Sequence, residues 1–419
     1  MTREVSTPQL LAPAGSFESL EAALRNGADA VYFGVGKLNM RSNATVNFSA
    51  DDLPELSFRC HSRGAKAYLA LNTILYDSEL EEARELCRKA KEAGIDALIV
   101  SDPAVMRMAN AEKLPVHLSV QANIANLETV RFYAQFADVA VLARELNLEQ
   151  IAYLCRKIRE EGIRGPSGRL FQVEIFIHGA LCVAVSGKCY MSLAAYNSSA
   201  NRGACFQNCR RAYTVRDTET GTEFTIDNEY VMSPRDLCTL EFFDRILASG
   251  VSILKIEGRG RSADYVAHVV RAYRSALDRW LEGGSLSAEE LRKWEEDLAS
   301  VFNRGFWKGG YYLGNKLGEW AGCGDSQATV RKEFLGKIVN FYRKISVAEL
   351  RITSGKLRTG EKILVTGETT GAEELTVEEL LLDGRSIAEA EKGMTVTFRS
   401  PVRFRVGDKV YLLTKRSPL

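Results

Sequence analysis

The chain has 419 residues, 46% of them hydrophobic and 26% charged, with only 9 prolines, a composition that excludes a disordered or fibrous protein and leaves room for two domains. Its 55 basic side chains against 54 acidic ones give a formal charge of +1, so no whole-chain field holds it on nucleic acid or an anionic membrane, and any polyanion partner must be met by a local patch. No apolar run nears the roughly 18 residues that span a bilayer, the opening Met1-Thr2-Arg3-Glu4-Val5 is no cationic leader with an apolar core, and scattered cysteines outside one dense cluster read as reduced thiols or metal ligands; a cytoplasmic protein without membrane contact is expected.

The first 260 residues repeat one phrase, a short apolar run rich in β-branched and aromatic residues, a polar or glycine break, then a stretch of helical period. The runs are 10–14, 30–34, 67–71, 97–101, 117–121, 139–143, 173–178 and 253–257, and amphipathic stretches such as 16–25, 79–93, 126–135 and 147–160 separate them. Near-continuous apolar strands between helices indicate a parallel sheet covered on both faces. Eight such units predict an α/β fold, a closed (β/α)8 TIM-like barrel, with a doubly wound open sheet as the alternative. After the seventh run some 50 residues, 181–230, intervene before the helix leading to the eighth. An insert of that length leaving the carboxyl end of a barrel strand is a place for chemistry.

A helical region follows Ala263, broken at Gly283-Gly284-Ser285, and leads to the aromatic, glycine-rich stretch Phe302 to Tyr312. From about Lys332 short alternating strands with turn signals take over, at 336–341, 346–352, 362–366, 374–382, 394–398 and 409–413. The expected organisation is a barrel over 1–284 including the cysteine-rich insert, a helical and aromatic-glycine connection over 285–331, and a small C-terminal all-β barrel over 332–419. From Arg331 onward 17 basic residues face 12 acidic ones, an excess that suits either an RNA-facing module or a plain solvated surface.

Cys182, Cys189, Cys205 and Cys209 fall within 28 residues, where an even spread would place fewer than one cysteine. Four soft donors on one insert can close around zinc or an iron-sulfur cluster, and the spacing C-x6-C-x15-C-x3-C is neither a ferredoxin run nor a zinc ribbon, so residue types alone leave both metals open. Cys238 is able to replace one ligand, while Cys60, Cys87, Cys155 and Cys323 read as ordinary thiols. Strand ends converging on the barrel mouth supply Asn72, Ser119, Gln121, Arg144, His178, Glu257 and Arg259, with Arg41 in the loop after the second strand. Cations and amides in that number suit a carboxylate-bearing small molecule, because arginine forks bind carboxylates bidentately. Salt bridges to neighbouring acids are the structural alternative for each arginine. His178 is either a catalytic acid/base or a neutral core histidine. Around the cysteines, Arg202, Arg210, Arg211 and Arg216 are candidate phosphate contacts, and Tyr190, Tyr196, Phe206 and Tyr213 are candidate stacking surfaces for an unpaired base.

The stretch Glu174-Ile175-Phe176-Ile177-His178-Gly179-Ala180-Leu181-Cys182, followed by Ser186-Gly187-Lys188-Cys189-Tyr190-Met191-Ser192, resembles the signature of the collagenase-like, unassigned-class peptidase family 32. Leu11-Ala12-Pro13-Ala14-Gly15, Gly27-Ala28-Asp29-Ala30-Val31-Tyr32 and Lys255-Ile256-Glu257-Gly258-Arg259 support the resemblance, which covers essentially the whole chain. It implies the family's tRNA-hydroxylating branch: formation of 5-hydroxyuridine at the wobble position, prephenate as hydroxyl donor, a [4Fe-4S] cluster, tRNA as substrate and a possible second homologous subunit. It implies Cys182, Cys189 and Cys205 as cluster ligands and leaves the fourth between Cys209 and Cys238. Hydroxylation of ribosomal RNA or of the ubiquinone ring, proteolysis, and an RNA-binding scaffold with a structural metal are the alternatives. Proteolysis lacks a G-x-S-x-G elbow and an H-E-x-x-H helix in this chain, although a Cys182 nucleophile with His178 as base is conceivable.

Overall fold

In the computed structural model, which describes residues 7–42, 47–224, 230, 232–307, 319–324 and 326–416, the repeated strand-then-helix phrase closes on itself. Strands β1 (Gln9–Pro13), β2 (Ala30–Gly34), β3 (Lys66–Leu71), β4 (Ala97–Val100), β5 (Val116–Leu118), β6 (Val139–Val141) and β7 (Gln172–Gly179) pair in sequence order, all parallel. The insert contributes a small hairpin, β8 (Val215–Arg216) with β9 (Glu223–Phe224), and after it the short β10 (Asp236–Cys238) pairs antiparallel with β7. Then β11 (Ile253–Ile256) pairs with both β1 and β7, so the eight-stranded barrel is closed and the open-sheet alternative falls. Residues 225–229 of the expected insert and 308–312 of the aromatic-glycine stretch lie outside the described residues.

Local sequence sets the helix starts. Helices α1 (Phe17–Arg25), α2 (Leu53–His61), α3 (Leu80–Glu92), α4 (Pro103–Ala111), α5 (Leu127–Tyr133) and α6 (Leu148–Glu161) follow the first six strands. Ser16, Asn126 and Asn147 each accept a hydrogen bond from the backbone N–H three residues on, and Asp102 caps α4 ahead of Pro103; caps of this kind stabilise a helix by about 1 kcal/mol each. The insert holds α7 (Met191–Tyr196), and α8 (Phe243–Ala248), α9 (Ala263–Leu281) and α10 (Ala288–Ser300) complete the set. Alternation along the strands divides the core in two. Leu10, Ala12, Leu254 and Ile256 join the layer between strands and helices, whereas Leu11, Tyr32, Tyr68, Ile99 and Ile253 fill the barrel interior. There Glu174, fully buried, is held by Lys255 Nζ at 2.6 Å, with His117 Nδ1 3.4 Å from its other oxygen. Burial pushes the Glu174 carboxyl up, but Lys255 and His117 more than offset it, so its pKa lies below the ordinary value.

After β12 (Phe306–Trp307), which lies beside β10, the chain becomes all-β. Strands β13 (Val330–Tyr342), β14 (Val347–Ile352), β15 (Lys356–Arg358), β16 (Lys362–Gly367), β17 (Gly371–Thr376), β18 (Leu380–Leu382), β19 (Arg385–Ile387), β20 (Glu389–Glu391), β21 (Thr395–Arg399) and β22 (Lys409–Lys415) follow. Eight of them form an antiparallel sheet in the order β17-β16-β22-β13-β14-β21-β18-β19, and β15 pairs with β20. The run expected at 374–382 is two strands, because Val377 leaves the ladder and donates its N–H to the carbonyl of Glu361. This domain has its own core, with Leu350, Ile363, Val396 and Phe398. It is fastened to the barrel by Arg25–Glu373 and by His268, which lies between Asp297 of α10 and Glu374 of β17 at 2.8 and 3.0 Å.

Candidate active site at the barrel mouth

The carboxyl ends of the strands and the insert enclose a cavity of about 430 Å³. A larger one, about 1190 Å³, lies between α9, α10 and the β domain, but the mouth is where strand-end polar groups and thiols meet. Two glycines allow the insert to close over it. A Cβ on Gly203, φ +87°, would lie 2.5 Å from the Asn39 carbonyl oxygen, and one on Gly187, φ +73°, 2.9 Å from Gln121; only a residue without a side chain fits such approaches at positive φ.

Of the residues expected there, Arg41, Asn72, Ser119, Gln121, Arg144, Glu257 and Arg259 all line the cavity. Arg41 Nη2 reaches Glu257 Oε1 at 3.2 Å. Burial raises the Glu257 carboxyl, yet Arg41, Arg144 and Arg259 together hold it below the ordinary carboxylate range. Arg259 is buried and donates to Asn39 Oδ1 at 3.1 Å. Asn72 Nδ2 donates to Ser119 Oγ at 3.1 Å and Gln121 Oε1 at 3.3 Å. Arg144 lies over the Phe176 ring at 4.0 Å and donates through Nη1 to the Ala180 carbonyl at 3.0 Å, while its buried Nε has no hydrogen-bond partner. An orphaned N–H on a cavity-lining guanidinium is a donor still to be paired, as an anionic ligand would pair it.

Three lining cations escape a reading of the sequence alone: Lys255, Arg261 and Arg304. Period two along and beyond β11 places Lys255 on the face of Glu257 and Arg259, a signal present in the sequence. Arg261 and Arg304 carry no such signal. Both sit against Phe302, at 3.7 and 5.1 Å, and near the buried Asp236, and burial lowers the pKa of each.

Cys182, Cys205 and Cys209 line the cavity. Burial pushes the Cys209 thiol up, Arg210 draws it down, and Cys182, Cys205 and Cys189 each raise it again, so the other three thiols of the cluster lie within electrostatic reach of Cys209. Among the described residues no three His, Cys, Asp or Glu side chains are already closed about a point that would hold a single metal ion. Three soft donors at the cavity, Cys182, Cys205 and Cys209, with cations beside them, are of the type that holds a polynuclear thiolate-bound centre. Cys238 is elsewhere. It is 1% exposed in β10, opposite His178, and takes a contact from the Tyr273 hydroxyl at 3.9 Å. Cys60, Cys87 and Cys155 are buried and pushed up to about 12, as ordinary core thiols are.

Several expectations need correction. His178 does not line the cavity. The β7–β11 register slips between Phe176 and His178, and such a slip re-aims the side chain: His178 meets Tyr265 and Tyr273 of α9 and Phe306. Burial lowers its pKa to about 3, helped by Arg261, so it is a neutral core imidazole rather than an acid/base at the mouth. Arg202 is spent on a two-pronged pair with Glu79 and lies over Tyr76 at 3.8 Å. Arg210 donates to Ser233 Oγ, the Pro234 carbonyl and the Leu181 carbonyl, tying the insert to the barrel. Neither is open to phosphate. Arg211 is exposed and donates to the Tyr196 hydroxyl, beside a Tyr196–Phe206 ring pair at 5.2 Å.

Comparison with known proteins supplies the family. A profile described as peptidase family U32 matches residues 15–322. The chain is similar to a collagenase of Porphyromonas gingivalis, 46% identical over 408 residues that cover 97% of this chain and 98% of the relative. It is similar to tRNA hydroxylation protein P1 of Bacillus subtilis, 29% identical over 96% of this chain and 93% of that protein. It is also similar to the 23S rRNA 5-hydroxycytidine C2501 synthase of Escherichia coli, 33% identical over 88% of this chain and 54% of that one. The matched span holds all eight barrel strands except β1 together with the whole cysteine-bearing insert, and the chain belongs to peptidase family U32.

Proposed function

We propose that this protein hydroxylates an RNA base, the wobble uridine of tRNA, using a [4Fe-4S] cluster held by Cys182, Cys189, Cys205 and Cys209 and a small dicarboxylate, prephenate, as hydroxyl donor. One observation carries the reading: seven Lys or Arg side chains line the mouth cavity beside three of the four clustered thiols, and after Arg41 is paired with Glu257, Lys255 with Glu174, and Arg261 and Arg304 with Asp236, Arg144, Arg210 and Arg259 are left with no carboxylate within ion-pair distance among the described residues. Cations in that surplus and out of bulk water call for anionic contents. A thiolate-bound cluster and a dicarboxylate are both anionic. Bound there, the cluster supplies electron transfer or a Lewis-acidic iron. The chain's own residues do the rest: Arg144 and Arg259 grip carboxylates, Arg41 and Glu257 fix each other, and Asn72 with Gln121 orient neutral oxygens. The names of the hydroxylation relatives support the reaction class.

Proteolysis is the second reading, favoured by the collagenase-named relative. The geometry offers it little. Ser57 and His61 on α2 and Asp96 in the loop before β4 do line up, with His61 Nε2 2.9 Å from Asp96. Ser57, however, is 3% exposed and directs its hydroxyl to the Gly94 carbonyl at 3.2 Å, so the hydroxyl of this set does not face solvent as a nucleophile must.

Two measurements test the proposal. Anoxically purified protein should be brown and carry about four irons per chain; Cys209→Ser should lower the iron, whereas Cys238→Ser should keep it and lose stability instead. A colourless, zinc-loaded protein sinks the cluster. Deleting the gene should remove 5-hydroxyuridine-type nucleosides from tRNA digests, and an unchanged profile, or gelatin cleavage by the iron-free protein, turns the reading to proteolysis.

A further inference from the structure

Nine of the twelve carboxylates after Arg331 fall between Glu361 and Glu391, while three cations meet in one row elsewhere on the sheet. Lys337 on β13 stands directly opposite Lys409 on β22 and Arg351 on β14. All three are exposed, and none has an ion-pair partner among the described residues. Like charges placed opposite one another across strands destabilise a sheet. Such a row is kept against the stability of its own fold, which is the mark of an anionic partner.

Two rings rise from the same face beside it. Phe334 lies opposite Tyr411, their centroids 5.6 Å apart and edge to face, and Phe334 is 39% exposed. A bulge brings rings and cations together. Strict alternation would send Phe334 and Lys337 to opposite faces, but the β13–β22 register slips between Phe334 and Gly336, Leu335 turns inward, and Lys337 arrives on the side of Phe334. Beyond the rings the same two strands carry Lys332 and Lys415 into the wall of the large cleft against α9 and α10.

We propose that this face of β13, β14 and β22 is a docking platform for single-stranded RNA, with Lys337, Lys409 and Arg351 on phosphates and Phe334 and Tyr411 under the bases. Its ligand class rests on the RNA reading above, although the surface shares no residue with the barrel mouth. Alternating cations and rings suit a single strand, whose phosphates and base faces are both accessible, better than a duplex that hides its base faces.

The test is fluorescence anisotropy of the full chain with a labelled oligouridine of about twelve nucleotides, over about 50 to 200 mM salt, where three phosphate contacts contribute about 2 to the log–log salt slope. Lys337→Glu is the informative variant. It sets a carboxylate between Lys409 and Arg351, so two repulsions become two attractions and the protein should melt no lower than wild type. Binding should nevertheless weaken about tenfold or more, with a shallower salt slope. Phe334→Ala should lose several-fold in affinity at an unchanged slope, because stacking is not ionic. Wild-type affinity in both variants, or no binding by the wild type at low salt, overturns the platform. A Lys337→Glu effect with a silent Phe334→Ala and full competition by heparin also overturns it, in favour of an unselective polyanion site. Failure of the mouth reading shows separately, in the nucleoside profile of the deletion strain.

Discussion

Arg144 is the residue at the mouth with the plainest vacancy for a ligand. Its ring contact with Phe176 and its bond to Ala180 fix the guanidinium, and the orphaned Nε is what remains to be paired. A charge-assisted hydrogen bond is worth about 1.5–3 kcal/mol, so if the proposed dicarboxylate donor binds here, Arg144→Ala should weaken its binding by calorimetry roughly 10- to 100-fold while the fold persists. Its type and place after an apolar run made it legible in the sequence. His178 was equally legible as a residue, but which of its two readings holds was not, because a one-residue slip between two strands lies in no local pattern. The activity profile should accordingly show no titration near pH 6–7 from His178, whose pKa is about 3, and His178→Gln should lower the melting temperature without moving the pH dependence.

Helices and strands were readable where their signals are local, through caps at Ser16, Asn126 and Asn147 and glycine breaks between elements. How elements clasp one another was not. His268 on α9 faces Asp297 and Ser300 of α10, Glu374 of β17 and, through Glu374, Lys362 of β16, with Arg271 on its own helix also bound to Asp297. Burial lowers its pKa, but hydrogen bonds and charge from Asp297 and Glu374 win and raise it to about 9. Glu374 moves the other way, to about 2, because His268 and Lys362 outweigh burial. A raised histidine contributes stability that is complete below its ordinary pKa of about 6.5 and is lost as pH climbs through about 9. A lowered glutamate contributes stability that is complete above its ordinary pKa and is lost as pH falls toward 2. The melting temperature should therefore fall between about pH 6.5 and 9, and His268→Gln should flatten that fall in a pH series of thermal melts.

At the scale of the molecule, the seam between β7 and β11 turns eight strands into a barrel, and the Lys255–Glu174 pair bridges it from inside. Removing one partner of a buried pair strands the other charge, at a cost of about 3–5 kcal/mol. Lys255→Met should show that loss in denaturant unfolding, and Lys255→Met with Glu174→Leu should recover much of it. The sequence by itself determined the α/β repeat, the cysteine cluster, the polar strand ends and the change to β structure near residue 330, because each is written in short-range periodicity and residue type. Only the tertiary structure decided that the sheet closes, that Cys209 rather than Cys238 stands at the mouth, that Arg202 and Arg210 are already engaged, and that Lys255, Arg261 and Arg304 join the cavity. Those outcomes depend on register and on contacts between residues far apart along the chain, which local pattern does not encode.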